Sequence, residues 1–156
     1  MTWQLRVGAV QMCSSDDLGK NLATCRSLVE QAVSEGAQLV ALPECFSFLG
    51  RKEGDKLAIA ETVDATSGGP IVGMLRELAA KHSIHILGGG TPEVVVGDAK
   101  RTYNTAVLVG PSGDVTARYR KIHLFDVDIP GGAVLKESDA TAPGNECVIV
   151  DIGGAK

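Results

Sequence analysis

The sequence predicts an α/β fold, in which helices are layered on a mixed sheet. Short apolar runs with strand periodicity alternate with segments of helical periodicity, in the order strand, helix, strand, helix, strand and hairpin. With 156 residues, of which 44% are hydrophobic and 22% charged, the chain has the composition of a globular protein with a buried core. We therefore expect one domain built from a sheet and helices.

The start of the chain is predicted to form a strand and a helix. Residues 4 to 12 alternate in a pattern that is apolar on nearly both faces, which is typical of a strand inside a sheet. A polar run at 14 to 17 can cap a helix start, and the apolar residues from 18 to 32 then recur at spacings of four and three. This amphipathic helix is expected to stop at Gly36.

The middle of the chain predicts a second strand, a second helix and a third strand. The apolar run 38 to 42 is followed by Pro43, so a short buried strand is expected to end there. Residues 50 to 69 predict a partly helical excursion and a loop. A helix with one apolar face is predicted from 70 to 79, because proline suits its first turn, and a strand is predicted from 84 to 88.

The remainder predicts a hairpin, a long loop and a final strand. Residues 102 to 109 and 114 to 120 flank a Gly-Pro-Ser-Gly turn, so these two strands are expected to be antiparallel neighbours. Residues 121 to 145 contain prolines and glycines and predict a long ordered loop, of the kind that often carries function. Residues 147 to 151 predict a last short strand.

Charge and composition argue against several classes of function. The net charge is −4 and the 15 basic residues are scattered, so we expect neither nucleic acid nor a membrane surface as a partner. No run approaches the roughly 20 apolar residues of a membrane span. The start of the chain lacks the features of a secretory signal, so a cytoplasmic location is expected. The four cysteines form no C-x-x-C pair, and neither a metal nor a cofactor is expected.

Glu44 is the first candidate for chemistry. It comes directly after a predicted buried strand, and open α/β sheets usually build their sites at such strand ends. Partial burial beside Phe46 and Phe48 would suit it to act as a general base near neutral pH. On this feature alone, a glutamate exposed in a loop is the alternative.

Lys121 is the second candidate, and Glu137 lies in the predicted loop that follows it. Lys121 is set among apolar residues at the end of another predicted strand, where an ammonium group can stabilise a developing oxyanion. A surface cation paired with Asp126 or Asp128 is the alternative. Glu137 is either a second carboxylate of the same site or a solvated loop acid.

His123 and the three glycines at 88 to 90 carry weaker signals. His123 can pair with Cys45 or Cys147 in a thiol hydrolase, although a histidine near a strand end is more often packed and hydrogen-bonded than catalytic. The glycines follow a predicted strand, but neither G-x-G-x-x-G nor a G-K-[ST] ending is present. Nucleotide binding is therefore not expected.

Four segments, spread across nearly the whole chain, are considered together. They are Val7-Gly8-Ala9-Val10-Gln11-Met12, Leu42-Pro43-Glu44, Tyr103-Asn104-Thr105-Ala106 and Tyr119-Arg120-Lys121-Ile122-His123-Leu124-Phe125. In this order they resemble the nitrilase superfamily of carbon–nitrogen hydrolases. The resemblance implies an α-β-β-α sandwich. Residues 1 to 156 would be a partial carbon–nitrogen hydrolase domain, the amino-terminal half of that sandwich, with a mixed sheet and helices on one face.

The resemblance also implies roles for the candidate residues. The family hydrolyses amides or nitriles with a Glu-Lys-Cys triad, through a covalent thioester or thioimidate. Glu44 would be the general base, Lys121 would hold the tetrahedral oxyanion, and Glu137 would match a further glutamate that helps to position the site. The expected substrate-binding side chains are Phe46, His123 and Phe125.

The stretch from 123 to 131, followed by Glu137-Ser138, resembles the Nit branch of the superfamily. This likeness implies a small carboxylated amide as the substrate, either an ω-amide of a dicarboxylate or deaminated glutathione. A nitrile is less expected on that branch.

The family's nucleophilic cysteine has no match in these 156 residues. Cys147 comes too early, and Cys45 is adjacent to Glu44, where successive side chains of extended backbone point apart. We expect the cysteine to lie beyond residue 156, so the fragment alone should be inactive. A complementing carboxy-terminal half or a homo-oligomer is expected to cover its open sheet. The alternative is a non-catalytic half-domain that acts in binding or assembly.

Overall fold

The structure is a computed structural model that describes residues 4–52, 54–64 and 68–153. It consists of a six-stranded sheet, a separate two-stranded sheet and two helices. The strands β1 to β8 are Val7–Ala9, Leu39–Ala41, His85–Val94, Thr102–Val109, Val115–Arg120, Asp126–Asp128, Val134–Lys136 and Thr141–Ala142, and the helices α1 and α2 are Leu18–Ser34 and Pro70–His82.

The large sheet is mixed. Strands β1, β2 and β3 are parallel neighbours in chain order, whereas β3, β4 and β5 are antiparallel neighbours. Strand β8 adds to β4 in parallel, and β6 pairs with β7 in the small sheet. The predicted hairpin is therefore present as β4 and β5. In the part of the chain that is described, neither helix has the length and apolar character needed to cross a bilayer.

Local sequence signals set the ends of both helices. Helix α1 begins after Asp17, whose side chain accepts a hydrogen bond from the backbone N–H of Lys20 at 2.9 Å. It ends before Gly36, which has a left-handed φ of 86°. Helix α2 begins at Pro70, and the carboxylate of Glu61 accepts hydrogen bonds from two backbone N–H groups of the first turn. The predicted starts of both helices and the stop of α1 before Gly36 are confirmed, whereas α2 runs to His82, beyond the predicted end at residue 79.

The hydrophobic core lies between the two helices and one face of the sheet. Each large side chain that is buried there stabilises the fold by about 1.5–3 kcal/mol. The predicted α/β class, with both helices on one face of a mixed sheet, is confirmed. Fully buried members of the core include Cys25 and Val29 of α1, Ile71 and Leu75 of α2, and Val40, Ile86, Val107 and Val109 of the sheet.

The first strand differs from its prediction in length and place. It covers Val7–Ala9 only and lies at the end of the strand order, where Val7 is exposed. Its apolar pattern has another cause, because Gly8 packs so closely under α1 that an added Cβ would lie 2.9 Å from the Cβ of Ala32. Apolar periodicity indicates which faces of a strand are buried, but it does not indicate how many strands pair with that strand.

The predicted strand at 147 to 151 is wrong. This segment has no strand pairing in the structure, yet its apolar residues Val148 and Val150 line one surface with Leu87 and Leu108 of the sheet. Leu87 alternates along β3 with the core residue Ile86, so this surface is the sheet face opposite the helices. The apolar alternation therefore reflects packing on a sheet face rather than backbone pairing.

Two other segments are more regular than predicted. The loop predicted at 121 to 145 contains β6, β7 and β8. Strand β3 continues through the glycines at 88 to 90, with a register shift between Gly88 and Thr91. The excursion predicted at 50 to 69 contains a 3₁₀ turn at Asp55–Ile59, and its residues 53 and 65–67 lie outside the described residues.

A buried glutamate ties three strands together. Glu93 of β3, whose side chain is only 3% exposed, accepts a hydrogen bond from Thr105 Oγ1 of β4 at 2.6 Å. Arg120 of β5 donates to both carboxylate oxygens of Glu93, from Nε at 2.9 Å and from Nη2 at 2.6 Å. Such a bidentate pair has both strength and fixed geometry. The pair fixes the spacing of β3, β4 and β5, and it therefore helps to position the residues that follow Arg120.

We predict that Glu93→Gln lowers the free energy of unfolding by about 3 kcal/mol, because it leaves the Arg120 guanidinium without its buried charge partner. Urea unfolding measures the change. The matched control is Glu30→Gln, which removes an exposed ion pair with Lys81 and should leave stability nearly unchanged. Equal losses in the two variants would contradict the structural role of Glu93.

Candidate active site

Three predicted site residues, which are far apart in the sequence, form one cluster. Glu44 follows β2, Lys121 follows β5, and Glu137 begins a short helical turn after β7. The Nζ atom of Lys121 lies 3.2 Å from Oε1 of Glu44 and 2.9 Å from Oε2 of Glu137. The partners of Lys121 are thus these two carboxylates, and not Asp126 or Asp128.

Lys121 is held in its cationic form. Burial is the largest single influence and lowers the pKa of the ammonium group. The hydrogen bonds to Glu137 and Glu44, together with the charges of those carboxylates, outweigh burial and raise the pKa above its ordinary value. A partly exposed ammonium that stays charged at neutral pH is suited to stabilise an oxyanion.

Glu137 is held as an anion. Burial is the largest influence and raises the pKa of its carboxyl group, but hydrogen bonds from the Phe125 backbone, Lys121 and Asn104 together lower it below the ordinary 4.5. The Phe125 N–H donates to Oε2 at 2.7 Å, and the side chain is 16% exposed. Glu137 is therefore suited to anchor Lys121, and not to exchange protons near neutral pH.

Glu44 is more exposed than the sequence predicts. Its side chain is 57% exposed, because the neighbouring rings of Phe46 and Phe48 are buried and do not cover it. Its Oε1 atom accepts a hydrogen bond from Asn104 Nδ2 at 2.6 Å in addition to the contact with Lys121. Since both donors bind Oε1, the second oxygen is left to accept a proton from a bound group.

The three predicted substrate contacts lie in different environments. Phe46 is fully buried and belongs to the hydrophobic core, where its ring packs against Gly88 of β3. Its contact with substrate stays a prediction. His123 and Phe125 are exposed beside Lys121 in the chain, and their contact with substrate stays a prediction.

Asn104 belongs to the cluster but was not singled out from the sequence. It is buried on β4, its side chain bonds to Glu44, and its backbone carbonyl accepts a hydrogen bond from the Lys121 N–H at 2.8 Å. The sequence signal that could have identified Asn104 is that it is a polar amide within a segment of otherwise strand-forming residues. A buried amide almost always has a specific partner.

Cys45 lies next to Glu44 but is not activated as a nucleophile. Burial, the largest influence, raises the pKa of its thiol, and the charges of Glu44 and Glu137 add to this effect. Its φ of 57° is left-handed, so the expectation based on extended backbone does not describe this residue. Within residues 4–52, 54–64 and 68–153, no group of three or more His, Cys, Asp or Glu side chains is arranged to hold a metal ion.

Comparison with known proteins gives the family. Residues 6–156 match the model of the carbon–nitrogen hydrolase family. The chain is 41% identical over 138 residues to the deaminated glutathione amidase of Synechocystis, which covers 88% of this chain and 49% of that protein. It is 35% identical over 147 residues to the bovine omega-amidase NIT2, covering 94% of this chain and 50% of that protein.

The fold of this chain also matches solved structures of known proteins. Nit3 of Saccharomyces cerevisiae, a member of branch 10 of the nitrilase superfamily, superposes with a TM-score of 0.80 at 27% identity, covering 97% of this chain and 52% of that one. A mutant amidase from Nesterenkonia sp. AN1, which carries acrylamide on its active-site cysteine, superposes with a TM-score of 0.73 at 25% identity, covering 97% and 54%.

The chain therefore belongs to the carbon–nitrogen hydrolase family, the nitrilase superfamily. Within that superfamily its relatives place it in the Nit branch, as the sequence predicted. It spans about half the length of the curated relatives it matches.

We predict that Glu137→Gln destabilises the protein in a pH-dependent way. The lowered pKa of Glu137 means that its ionised form stabilises the fold above pH 4.5 and that this contribution is lost as the pH falls through the folded-state pKa. The gap in unfolding free energy between parent and variant, measured in urea from pH 7 to pH 3, should therefore shrink below pH 4.5. A gap that stays constant across this range would contradict the assignment.

Proposed function

We propose that this chain is part of an amidase that cleaves the carbon–nitrogen bond of small amides. The proposed triad is Glu44, Lys121 and a nucleophilic cysteine that lies beyond residue 156. The observation that carries the proposal is the ammonium of Lys121, held between the carboxylates of Glu44 and Glu137 at 3.2 Å and 2.9 Å in a chain of this family.

The first half of the proposed reaction forms a covalent intermediate. The free oxygen of Glu44 takes the thiol proton as the sulfur attacks the amide carbon, so a carbon–sulfur bond forms and the carbonyl oxygen becomes negative. Lys121 stabilises that oxyanion with its ammonium group. Glu44 then gives the proton to the leaving nitrogen, the carbon–nitrogen bond breaks, and ammonia departs from a thioester.

The second half releases the acid. Glu44, again a carboxylate, takes a proton from water as the water oxygen attacks the thioester carbon. The oxyanion forms at the same place beside Lys121, and its collapse breaks the carbon–sulfur bond. The proton returns to sulfur, which restores the thiol. Glu137 keeps Lys121 charged and in place through both halves.

The proposed substrates are small amides that also carry a carboxylate, such as ω-amides of dicarboxylates or deaminated glutathione. The support comes from the relatives, which are named as a deaminated glutathione amidase and as omega-amidases. A nitrile is the less favoured substrate, because the deaminated glutathione amidase and the omega-amidases among the relatives are named for amide hydrolysis.

We further propose that the sheet is covered by a complementing carboxy-terminal half or by a second copy of the chain. The support is the apolar face of the sheet that carries Leu39, Leu87 and Ala106, together with the end position of β1.

We also propose a cytoplasmic location. The support is the four free thiols, of which Cys13 and Cys147 are exposed, since exposed free thiols are typical of a reducing compartment.

We predict that the full-length protein hydrolyses small ω-amides and that Glu44→Gln lowers kcat/KM by at least about 100-fold, because the base is lost. Lys121→Met should lower kcat by about 100- to 1000-fold, because the oxyanion loses its counter-charge. Ammonia release from ω-amides, with and without these substitutions, measures both effects.

Matched controls use the exposed ion pair between the helices. Glu30→Gln and Lys81→Met remove the same two chemical groups away from the site, where they bond at 2.7 Å, and should leave activity at the parent level. Absence of turnover in the parent as well as the variants would favour the non-catalytic binding or assembly function instead.

We predict that the double substitution Cys45→Ser and Cys147→Ser leaves most of the amidase activity of the full-length protein intact. The reason is that Cys45 is held as a thiol by burial and that the nucleophile is expected elsewhere in the chain. The assay is again ammonia release. Complete loss of activity, with the fold retained, would place the nucleophile at Cys45 or Cys147 and would revive a thiol hydrolase that uses His123.

A further inference from the structure

The glycines at 89 and 90 have no role in the proposed reaction, yet neither tolerates a side chain. Their φ angles are outside the left-handed range, so backbone freedom does not explain them. A Cβ at Gly89 would collide with the backbone carbonyl oxygens of Leu42 and Pro43. A Cβ at Gly90 would collide with Oδ1 of Asn104. The requirement is therefore for space, toward the segment before Glu44 at Gly89 and toward Asn104 of β4 at Gly90.

Strand β3 also holds the Glu44 segment by a hydrogen bond. The carbonyl of Gly90 accepts from the N–H of Cys45 at 2.9 Å, directly after Glu44 in the chain. Cys45 adopts its left-handed φ of 57° at this point, a conformation that costs energy for a residue with a side chain. The backbone on one side of Glu44 is thus fixed by β3.

The side chain of Glu44 is fixed from β4. Asn104 Nδ2 donates to Glu44 Oε1 at 2.6 Å, which is shorter than the 3.2 Å contact of Lys121 with the same oxygen. The same amide lies near enough to Glu137 to help lower the pKa of that carboxyl group. Since more than half of the Glu44 side chain is exposed, little packing restrains it, and the Asn104 amide is its nearest anchor.

We propose that Asn104, seated against the bare backbone of Gly90, is a positioning residue that fixes the carboxylate of Glu44 beside Lys121. This inference rests on the proposed function. Donation to Oε1 leaves the other oxygen as the proton acceptor, and it sets the direction in which that oxygen points. Asn104 donates to the carboxylate of Glu44 and exchanges no proton itself.

A double-mutant cycle on the full-length protein tests the proposal. Asn104→Ala removes the amide, and Gly90→Ala displaces it by adding a methyl group where Oδ1 lies. Each single substitution should lower kcat about 10- to 100-fold, the worth of a hydrogen bond to a charged group, with KM changed by much less. The double variant should lose no more than either single variant, because the methyl group then enters space that Asn104 has vacated.

Losses that multiply in the double variant would overturn the proposal, because they would show that Gly90 and Asn104 act independently. The matched control is Asn21→Ala, which removes a buried amide that donates to the carbonyls of Ser15 and Ser47 and has no hydrogen bond with Glu44 or Lys121. Its kcat should stay at the parent value even if its unfolding temperature falls. A fall in kcat as large as that of Asn104→Ala would reduce Asn104 to a packing residue.

A second measurement does not depend on activity. The carboxyl carbon of Glu137, labelled with carbon-13 and assigned with Glu137→Gln, reports the pKa of that group by NMR. Because the Asn104 hydrogen bond is one of the causes that lower this pKa, it should rise in both Asn104→Ala and Gly90→Ala and stay unchanged in Asn21→Ala. If the parent lacks amidase activity but the two variants show the raised pKa of Glu137, the proposed function is refuted and the positioning role is supported. An unshifted pKa in both variants would refute that role.

Discussion

The ammonium group of Lys121 lies between two carboxylates that would otherwise repel each other. Its contacts of 3.2 Å with Glu44 and 2.9 Å with Glu137 join segments that follow β2, β5 and β7. Lys121 and Glu137 keep each other in the charged form, since the pKa of Lys121 is raised and that of Glu137 is lowered. The cluster is therefore a fixed arrangement of charges around one exposed carboxylate, which is the arrangement that base and oxyanion chemistry needs.

Strand β4 connects this cluster to the stability of the sheet. Asn104 and Thr105 are successive residues, so their side chains project to opposite faces of the strand. Asn104 bonds to Glu44, whereas Thr105 bonds to the buried Glu93, which also holds Arg120. Lys121 directly follows Arg120 in the chain. The buried ion pair of Arg120 with Glu93 on one face of the sheet therefore helps to position the site on the other face.

The fold is consistent with a chain that spans about half the length of its relatives. One face of the sheet is filled by α1 and α2, whereas Leu39, Leu87 and Ala106 on the opposite face line an apolar surface together with the segment around Val148 and Val150. An apolar sheet face of this kind usually binds another layer of the same protein. The proposed carboxy-terminal half would supply both the proposed cysteine and the proposed covering layer.

The sequence by itself determined both helices, the hairpin of β4 and β5, and the candidate residues. Apolar periodicity and the residues Asp17, Gly36 and Pro70 predicted both helices, because these signals act within a few residues. Four short segments predicted the family, and with it Glu44, Lys121 and Glu137, which the structure brings together.

Only the tertiary structure decided the rest. It placed Phe46 in the core, left Glu44 exposed, put β1 at the end of the strand order and gave the segment at 147 to 151 no strand partner. It also showed why Gly90 has no side chain and what Asn104 contacts. The physical reason is distance along the chain. Burial and hydrogen bonding join residues tens of positions apart, and no local pattern records which pairs will meet.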